Sequence, residues 1–348
     1  MSWDFLNYEE GLIKNLHYGL IHSSKFSIFD SSNAPFINND YIPKKYTLYK
    51  TNDLILADTS EDKKDVGKPL ELKLDEYPIV CGLHTMHFRE KKNVTIPFFK
   101  SYYFSSNMYH RFTYKYSEGV KVFSLKPSLF KYFVFSYPCK DEQEKIVNFL
   151  KLMDKKINLI EAKISILKKY KKGLIIYLLT NGIKTEKFVD YIEYISKTSF
   201  ASGDGKEKGK YPFYINSTDG NYKFTDSYTH EGKHLIVNTG GQAFIQISEE
   251  KFSAMADNLI IKIRKNLYGV YYYLKGIESR INYIGFQGTG IRHLDQNWLK
   301  RQYVILPPIS DKKIEALEEN TNNYIKILEI KLKKLHLIKM QLMKDLFI

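Results

Sequence analysis

An α+β fold built twice is what the sequence predicts: two similar mixed α/β domains, each followed by a long helix, with the two helices packed on each other as a coiled coil. Three observations predict it. The chain matches itself when slid by 168 to 169 residues; each copy ends in apolar residues spaced alternately by three and four; and the segment before each such run carries short apolar stretches broken by Gly, Asn and Pro. With 348 residues, 43% of them hydrophobic, the chain has enough apolar material for two cores.

In the first copy, Leu48 to Ala57 carries the run Leu54-Ile55-Leu56-Ala57 of a buried strand, followed by a polar loop from Asp58 to Asp62, and Tyr77 to Leu83 reads as another strand. In the second copy, Leu235-Ile236-Val237, Ala243-Phe244-Ile245 and Leu259 to Ile263 read as short strands, and Tyr268 to Ile284 as a helix. Ser199 to Lys210, rich in charge and glycine, reads as a mobile loop. The repeat is clearest where Gly119-Val120-Lys121-Val122-Phe123-Ser124-Leu125 lies over Gly288-Thr289-Gly290-Ile291-Arg292-His293-Leu294, with Pro138 and Pro307 following at equal distances. After one deleted residue the register settles at 168 and holds for more than thirty residues, pairing Ile146 with Ile314, Phe149 with Leu317 and Glu161 with Glu329.

No proline interrupts the chain from Lys140 to Thr180. Ile146, Leu150, Met153, Ile157, Ile160, Ile164, Leu167, Lys171, Leu174 and Leu178 form a heptad seam there. The second seam, Ile314, Glu318, Thr321, Ile325, Leu328, Leu332, Leu335, Lys339, Leu342 and Leu346, is polar near its start, where it should fray or meet another surface. Forty residues at 1.5 Å each make a rod of about 60 Å. Two such rods with narrow stripes bury them most economically on each other. The boundaries that follow are a domain over 1–137, a helix over 138–182 with a stop signal at Thr180-Asn181-Gly182, a domain over 183–307 and a helix over 308–348.

A formal net charge of +14 points to a polyanionic partner, although only six of the 53 cations are arginine, so part of the excess is put down to lysine-rich composition. Two lone cysteines, Cys81 and Cys139, exclude a disulfide scaffold and suit a reducing cytoplasm. The longest apolar stretch, near Leu174 to Leu179, is far shorter than the roughly 18 residues that span a bilayer, and no leader-like run opens the chain, so neither a membrane nor an exported protein is expected. Catalytic motifs are missing. The only Pro-Pro, Pro307-Pro308, lacks the Asn/Asp before it and the aromatic after it that grip a flipped base, and no Gly-Lys pair is followed by Ser or Thr as a phosphate loop requires. No Pro-Asp pair opens a metal-dependent nuclease core.

Three weaker constellations read better as ordinary structure. Cys81, His84 and His87 have spacing that suits zinc but no fourth ligand nearby. Asp58, Glu61, Asp62 and Asp65 alternate with lysines and lack the pattern of a calcium loop. Gly285 to Gly290 has the glycines of a dinucleotide site without the strand, helix and acid that complete one.

Duplicated globular segments, each followed by a heptad helix entered through a proline, resemble the specificity subunit of type I restriction-modification systems. The residues carrying the resemblance are Gly119 to Leu125, Pro138 through Asp141-Glu142-Gln143-Glu144-Lys145-Ile146, the helix to Leu179, Tyr211-Pro212-Phe213-Tyr214, Gly288 to Leu294 and Leu306-Pro307-Pro308. Asp53 to Asp58 with Asp65-Val66-Gly67-Lys68 and Gly82-Leu83-His84-Thr85 is similar to a common first target-recognition domain. Two departures stand against the pattern: family members carry a longer lead before the first domain, and the second helix enters through Ser310-Asp311-Lys312-Lys313, without the Gln.

The resemblance implies a non-catalytic reader of double-stranded DNA. Its two target-recognition domains would be related by an internal pseudo-two-fold through the antiparallel helices, each reading half of a bipartite site. It implies two methyltransferase subunits as partners, with motor-nuclease subunits joining for cleavage. No cofactor belongs to this chain; S-adenosylmethionine, ATP and Mg are expected in those partners. The seam residues would pack the helices and help dock subunits. Candidate DNA contacts are Gln287, Thr289, Arg292 and His293 with Asn238 and Gln242 in the second domain, and Lys121 and Ser124 in the first, since such donors read base edges. Lys63, Lys64, Arg89, Lys91, Lys92 and Arg111 are candidates for phosphate. His22 and His84 read as buried structural histidines. The rival readings are a coiled-coil scaffold for RNA or protein, and a stand-alone DNA-modifying enzyme.

Overall fold

A computed structural model of the chain describes residues 1–347; the side chains of Ile175 and Leu178 are outside that description, and with them the seam position expected at Leu178. The chain divides into two compact units, one of residues 1–162 with 330–347 and one of Lys163–Glu329. The predicted fold class is borne out, for each unit is mixed α/β and contains part of both long helices.

In the first unit the strand Leu54–Ala57 lies between Pro69–Lys73 and Thr85–Phe88, antiparallel to both, and Ile28–Asp30 completes the sheet in parallel with Pro69–Lys73. Side chains alternate across a strand, so an unbroken apolar run needs both faces covered. They are: Leu54 and Leu56 enter a cluster with Phe99, Tyr103 and Tyr109, while Ile55 and Ala57 enter one with Leu16, Ile21 and Leu72. Burying each such side chain contributes roughly 1.5–3 kcal/mol. A second sheet joins Leu6–Asn7, Phe36–Ile37, Lys14–Leu16 and Ile79–Cys81.

The second unit repeats this logic. Leu235–Asn238 sits between Asn258–Ile263 and Ile245–Ile247, with Ile192–Ser196 outside. Leu235 and Val237 face the main core with Leu259 and Val270; Ile236 faces the other way, against Phe252 and Ile260. Two expectations shift. The strand expected from Ala243 begins at Ile245, because Ala243 N–H is taken by Asn282 Oδ1 (2.6 Å) outside the ladder. The helix expected to run to Ile284 is Leu267–Gly276, followed by the short turn Glu278–Arg280 and the wide turn Ile281–Gly285. Gly285 permits that ending by close approach: a Cβ there would lie 2.8 Å from the Trp298 ring.

The long helices are Lys140–Thr180 and Asp311–Leu346, 41 and 36 residues. In the first unit Ile146, Leu150, Met153, Ile157 and Ile160 are buried, Leu332, Leu335 and Leu342 half-buried, and Lys339 pairs with Asp154, which also accepts from Tyr102 OH (2.9 Å). In the second, Ile164, Ile314, Ile325 and Leu328 are buried and Leu167 and Leu174 half-buried, with Lys168 pairing Glu329 (3.0 Å) and Lys171 pairing Glu318 (2.8 Å). Partner numbers rise on one helix as they fall on the other, so in each unit the helices run antiparallel. Leu346 departs from the expected seam. It is 38% exposed, while Met343 and Phe347 turn into the aromatic cluster of Phe99 and Tyr103 instead.

The polar start of the second helix meets a surface. Tyr272 OH donates to Glu318, and Lys233 Nζ reaches Glu319 (2.5 Å) and Glu315 (3.2 Å). Burial pushes the Glu318 carboxyl up, but Lys171 and Tyr272 more than offset it and hold the group below its usual range. Glu318, which interrupts the second seam, is therefore held by Tyr272 of the globular part as well as by Lys171 of the first helix.

Candidate nucleic-acid interface

Each unit ends its central strand under a hairpin, and the same backbone bonds lock both. In the first unit Ser124 N–H donates to Glu118 O (2.8 Å) and Leu125 N–H to Asp58 O (2.8 Å), just past the end of Leu54–Ala57. In the second, Gln287 pairs with His293, and Leu294 N–H donates to Thr239 O (2.9 Å), just past the end of Leu235–Asn238. Glu118, Ser124 and Leu125 occupy the repeat positions of Gln287, His293 and Leu294. Leu125 and Leu294 are buried and anchor the hairpins. Both turns pass through a glycine with positive φ, +139° at Gly119 and +130° at Gly288, a region that side chains with a Cβ rarely adopt.

In the second unit the turn after the strand joins the hairpin. Gly241, at φ +74°, donates its N–H to Arg292 O (2.9 Å), and Gly240 bridges His293. The amides around these turns hold the backbone: Asn216 Nδ2 donates to Gly240 O (3.1 Å), Asn282 accepts from Ala243, and Thr239 Oγ1 donates to Asp257 O (2.9 Å). Gln242, Gln287, Thr289 and His293 are exposed and Arg292 half-exposed, and none of the five makes a side-chain hydrogen bond among the described residues. The structure thus brings together five of the six residues expected here. Asn238 is set apart: it is fully buried and donates to Ser217 O (2.9 Å), so it supports the turn and cannot reach a ligand. Tyr283 and Ile291, missed in the sequence, are exposed on the same segments. Only their exposure marks them, since no local sequence pattern distinguishes an exposed Tyr or Ile from a buried one.

In the first unit Lys121 is exposed at the hairpin tip and Ser124 half-buried in its stem, and Lys64 is exposed on the loop after Thr59–Ser60. That loop reaches the hairpin, as Thr59–Ser60 pairs with Phe123–Ser124. Lys63 lies over the Tyr114 ring (4.5 Å) and near Phe123, which fixes its stem while its charge stays accessible. Arg111 is exposed on Asn107–Tyr116, a helix tied to the loop by Tyr109 OH donating to Gly67 O (2.9 Å). Beside these cations a groove of about 490 Å³ is lined by Tyr18, His22, Glu61, Asp62, Asp65 and His84.

Three candidate phosphate contacts lie elsewhere. Arg89 is committed to buried Asp53, donating through Nη2 (2.6 Å) and Nε (2.9 Å) and also to Leu48 O (2.8 Å). Lys91 and Lys92 are exposed after Thr85–Phe88, and since Ala57 pairs with Thr85 and Leu54 with Phe88, they follow the end of the sheet away from the hairpin. The histidine expectation also changes: His22 is half-buried with Nε2 bonded to Thr59 O (2.9 Å), and His84 is exposed at φ +60°, 3.6 Å from Asp58. His87 bonds Asp53 (2.7 Å), and burial pushes the Cys81 thiol up to about 12. Among the described residues no group of three or more His, Cys, Asp or Glu is placed to hold a metal ion, and no helix is long and apolar enough to cross a membrane.

The chain thus twice pairs a mixed α/β unit carrying a locked, donor-bearing hairpin with part of an antiparallel helix pair. Residues 182–336 match the family described as the type I restriction modification DNA specificity domain. The S subunit of the type I restriction-modification system from M. genitalium has a similar structure, at a TM-score of 0.61 and 14% identity over 100% of this chain and 91% of its own. So does a chain from work on complex assembly and conformational transition of the type I R-M system, at 0.57 and 10% identity over 95% of this chain and 90% of that one. No curated protein matches by sequence. The family match is thus confined to residues 182–336, while along its length the chain has a fold similar to that of the M. genitalium S subunit.

Proposed function

We propose that this chain is the non-catalytic specificity subunit of a type I restriction-modification complex, reading a bipartite site in double-stranded DNA, one half with each unit. The observation carrying this reading is the duplicated hairpin lock, Leu125 on Asp58 and Leu294 on Thr239, which presents exposed side chains from a rigid backbone in both units. Side chains on a pinned backbone lose less entropy when they bind, and donors of the Arg, Gln and Thr type suit the major groove.

Two methyltransferase subunits are the proposed partners, carrying S-adenosylmethionine, with motor-nuclease subunits supplying the ATP- and Mg-dependent step in the cytoplasm. Docking is supported by apolar residues that the helix seam leaves outside: Phe149, Leu152 and Leu159 in the first unit and Ile166, Tyr170 and Tyr177 in the second are all exposed. They recur at three-, four- and seven-residue steps, the spacing of a second stripe that another helix can cover.

Co-expression with a methyltransferase subunit of the same system, purification of the complex and mapping of methylated host sites tests the proposal. The expected result is methylation confined to a split motif of fixed spacing, one half of which changes when residues 183–305 are exchanged. A stable complex that methylates without sequence preference would overturn it.

A further inference from the structure

The side chains on the second hairpin carry more information than a general capacity to bind DNA. We propose that the second unit's half-site contains a guanine read by Arg292 and, within one or two base pairs of it, an adenine read by Gln242; this rests on the reader function proposed above.

The argument starts from the bond between the two loops. Gly241 N–H donates to Arg292 O at 2.9 Å, so the turn that carries Gln242 and the segment that carries Arg292 are joined backbone to backbone. Paired backbones lie about 5 Å apart and base pairs rise by about 3.4 Å, so side chains from two segments joined in this way are within reach of base pairs one or two steps apart. Their chemistry differs in a way the major groove resolves. A guanidinium offers two parallel donors that match guanine O6 and N7, whereas a primary amide offers one donor and one acceptor that match adenine N7 and N6.

Neither side chain is occupied within the chain. In the second unit Asn238, Asn216 and Asn282 hold the turns through their own bonds, while Gln242 and Arg292 make no side-chain hydrogen bond among the described residues. Lys265 and Lys275, which could serve as simple phosphate contacts, pair instead with Glu186 (2.8 Å) and Glu278 (2.6 Å). The first hairpin offers nothing comparable. Its repeat position for Arg292 is Phe123, half-buried and paired with Ser60, so a guanine contact of this kind belongs to the second half-site alone.

The test uses the full-length chain in complex with its methyltransferase and a pool of randomised duplexes, with bound molecules sequenced. Wild type is compared with Arg292→Lys, Arg292→Ala and Gln242→Ala. The wild-type complex is expected to enrich a split motif with guanine and adenine close together in one half. Arg292→Lys keeps the charge and loses the fork, so it should still bind while discrimination at that guanine falls on the order of tenfold or more. Gln242→Ala should relax the adenine alone, and the other half of the motif should stay unchanged in every variant. If the split motif appears but Arg292→Lys preserves it, or Arg292→Ala weakens all sequences alike, Arg292 is a phosphate contact and the assignment is wrong while the reader function stands. If the wild-type complex enriches no motif, both fail together.

Discussion

In the first unit residues 118–124 turn through Gly119 and show Val120, Lys121 and Val122 to solvent, whereas in the second residues 287–293 turn through Gly288 and show Thr289, Ile291 and His293, with Arg292 half-exposed beside them. The backbone bonds that hold the two hairpins are the same. The surroundings differ as well: the first hairpin borders a groove with Glu61, Asp62 and Asp65, and the second borders a glycine turn with Gln242. A duplicated scaffold can keep its main-chain hydrogen bonds and change the message, because those bonds depend on backbone geometry and a buried leucine while the exposed positions are energetically cheap to replace.

The comparison breaks most sharply at the anchors. Leu125→Ala or Leu294→Ala should each cost roughly 2–5 kcal/mol, the range for emptying a buried leucine site. Each should release one hairpin, so that methylation mapping shows one half of the motif degenerate and the other intact; simultaneous loss of both halves would count against separate readers. Gly119→Ala comes next. Its Cβ would sit 2.0 Å from Val122 O, against 3.2 Å to Ile291 O at Gly288, so Gly119→Ala should destabilise by more than the 1–3 kcal/mol or so of backbone strain alone and Gly288→Ala by about that strain. Equal denaturation midpoints for the two variants would show that the first turn relaxes.

The residue before each central strand provides a pH contrast. Burial pushes Asp53 up, but Arg89, the Lys50 N–H and His87 outweigh it and hold the carboxyl below its usual value. At the same place in the second unit His234 is buried, held by Tyr194 OH (2.8 Å) and Gly232 O (2.7 Å), and burial lowers its pKa below 6.5. A histidine with a depressed folded pKa favours folding fully above 6.5, and that contribution falls away as the pH drops through the folded value. Asp53 loses its contribution only below about 4. Between pH 7.5 and 5.5 wild type should therefore lose more thermal stability than His234→Gln, whereas Asp53→Asn should not alter the slope; parallel curves for wild type and His234→Gln would exclude this role. The smallest effect is expected on the helices. Lys168, paired with Glu329 near the surface, should contribute about 0.2–1 kcal/mol, and Lys339, paired with the more buried Asp154, should contribute more, as paired Ala substitutions and urea unfolding would show.

Much of the plan was legible in the sequence. The repeat, the two long helices and the buried strands at Leu54 and Leu235 could be read because they rest on periodicity and on uninterrupted apolar runs, which survive without any knowledge of neighbours. Gly119 and Gly288 were legible only as matching positions of the repeat; that both turn a hairpin with positive φ came from the structure. Arg89 and Asn238 were misplaced because a polar side chain has the same sequence signature whether it faces solvent or is held by Asp53 or Ser217. That Lys91 and Lys92 follow the end of the sheet away from the hairpin was not legible either, because charge does not say which end of a sheet it follows. Met343 and Phe347 replace Leu346 because the aromatic cluster of the first unit, assembled from residues more than two hundred positions away, sets which face of the last turn is buried. The amino-acid sequence by itself therefore determined the two long helices, the central strands and that the design occurs twice, since local period and composition suffice for that. Only the tertiary structure decided which donors are occupied in holding the chain and which remain exposed, since a hydrogen bond between distant residues depends on distances that no local pattern encodes.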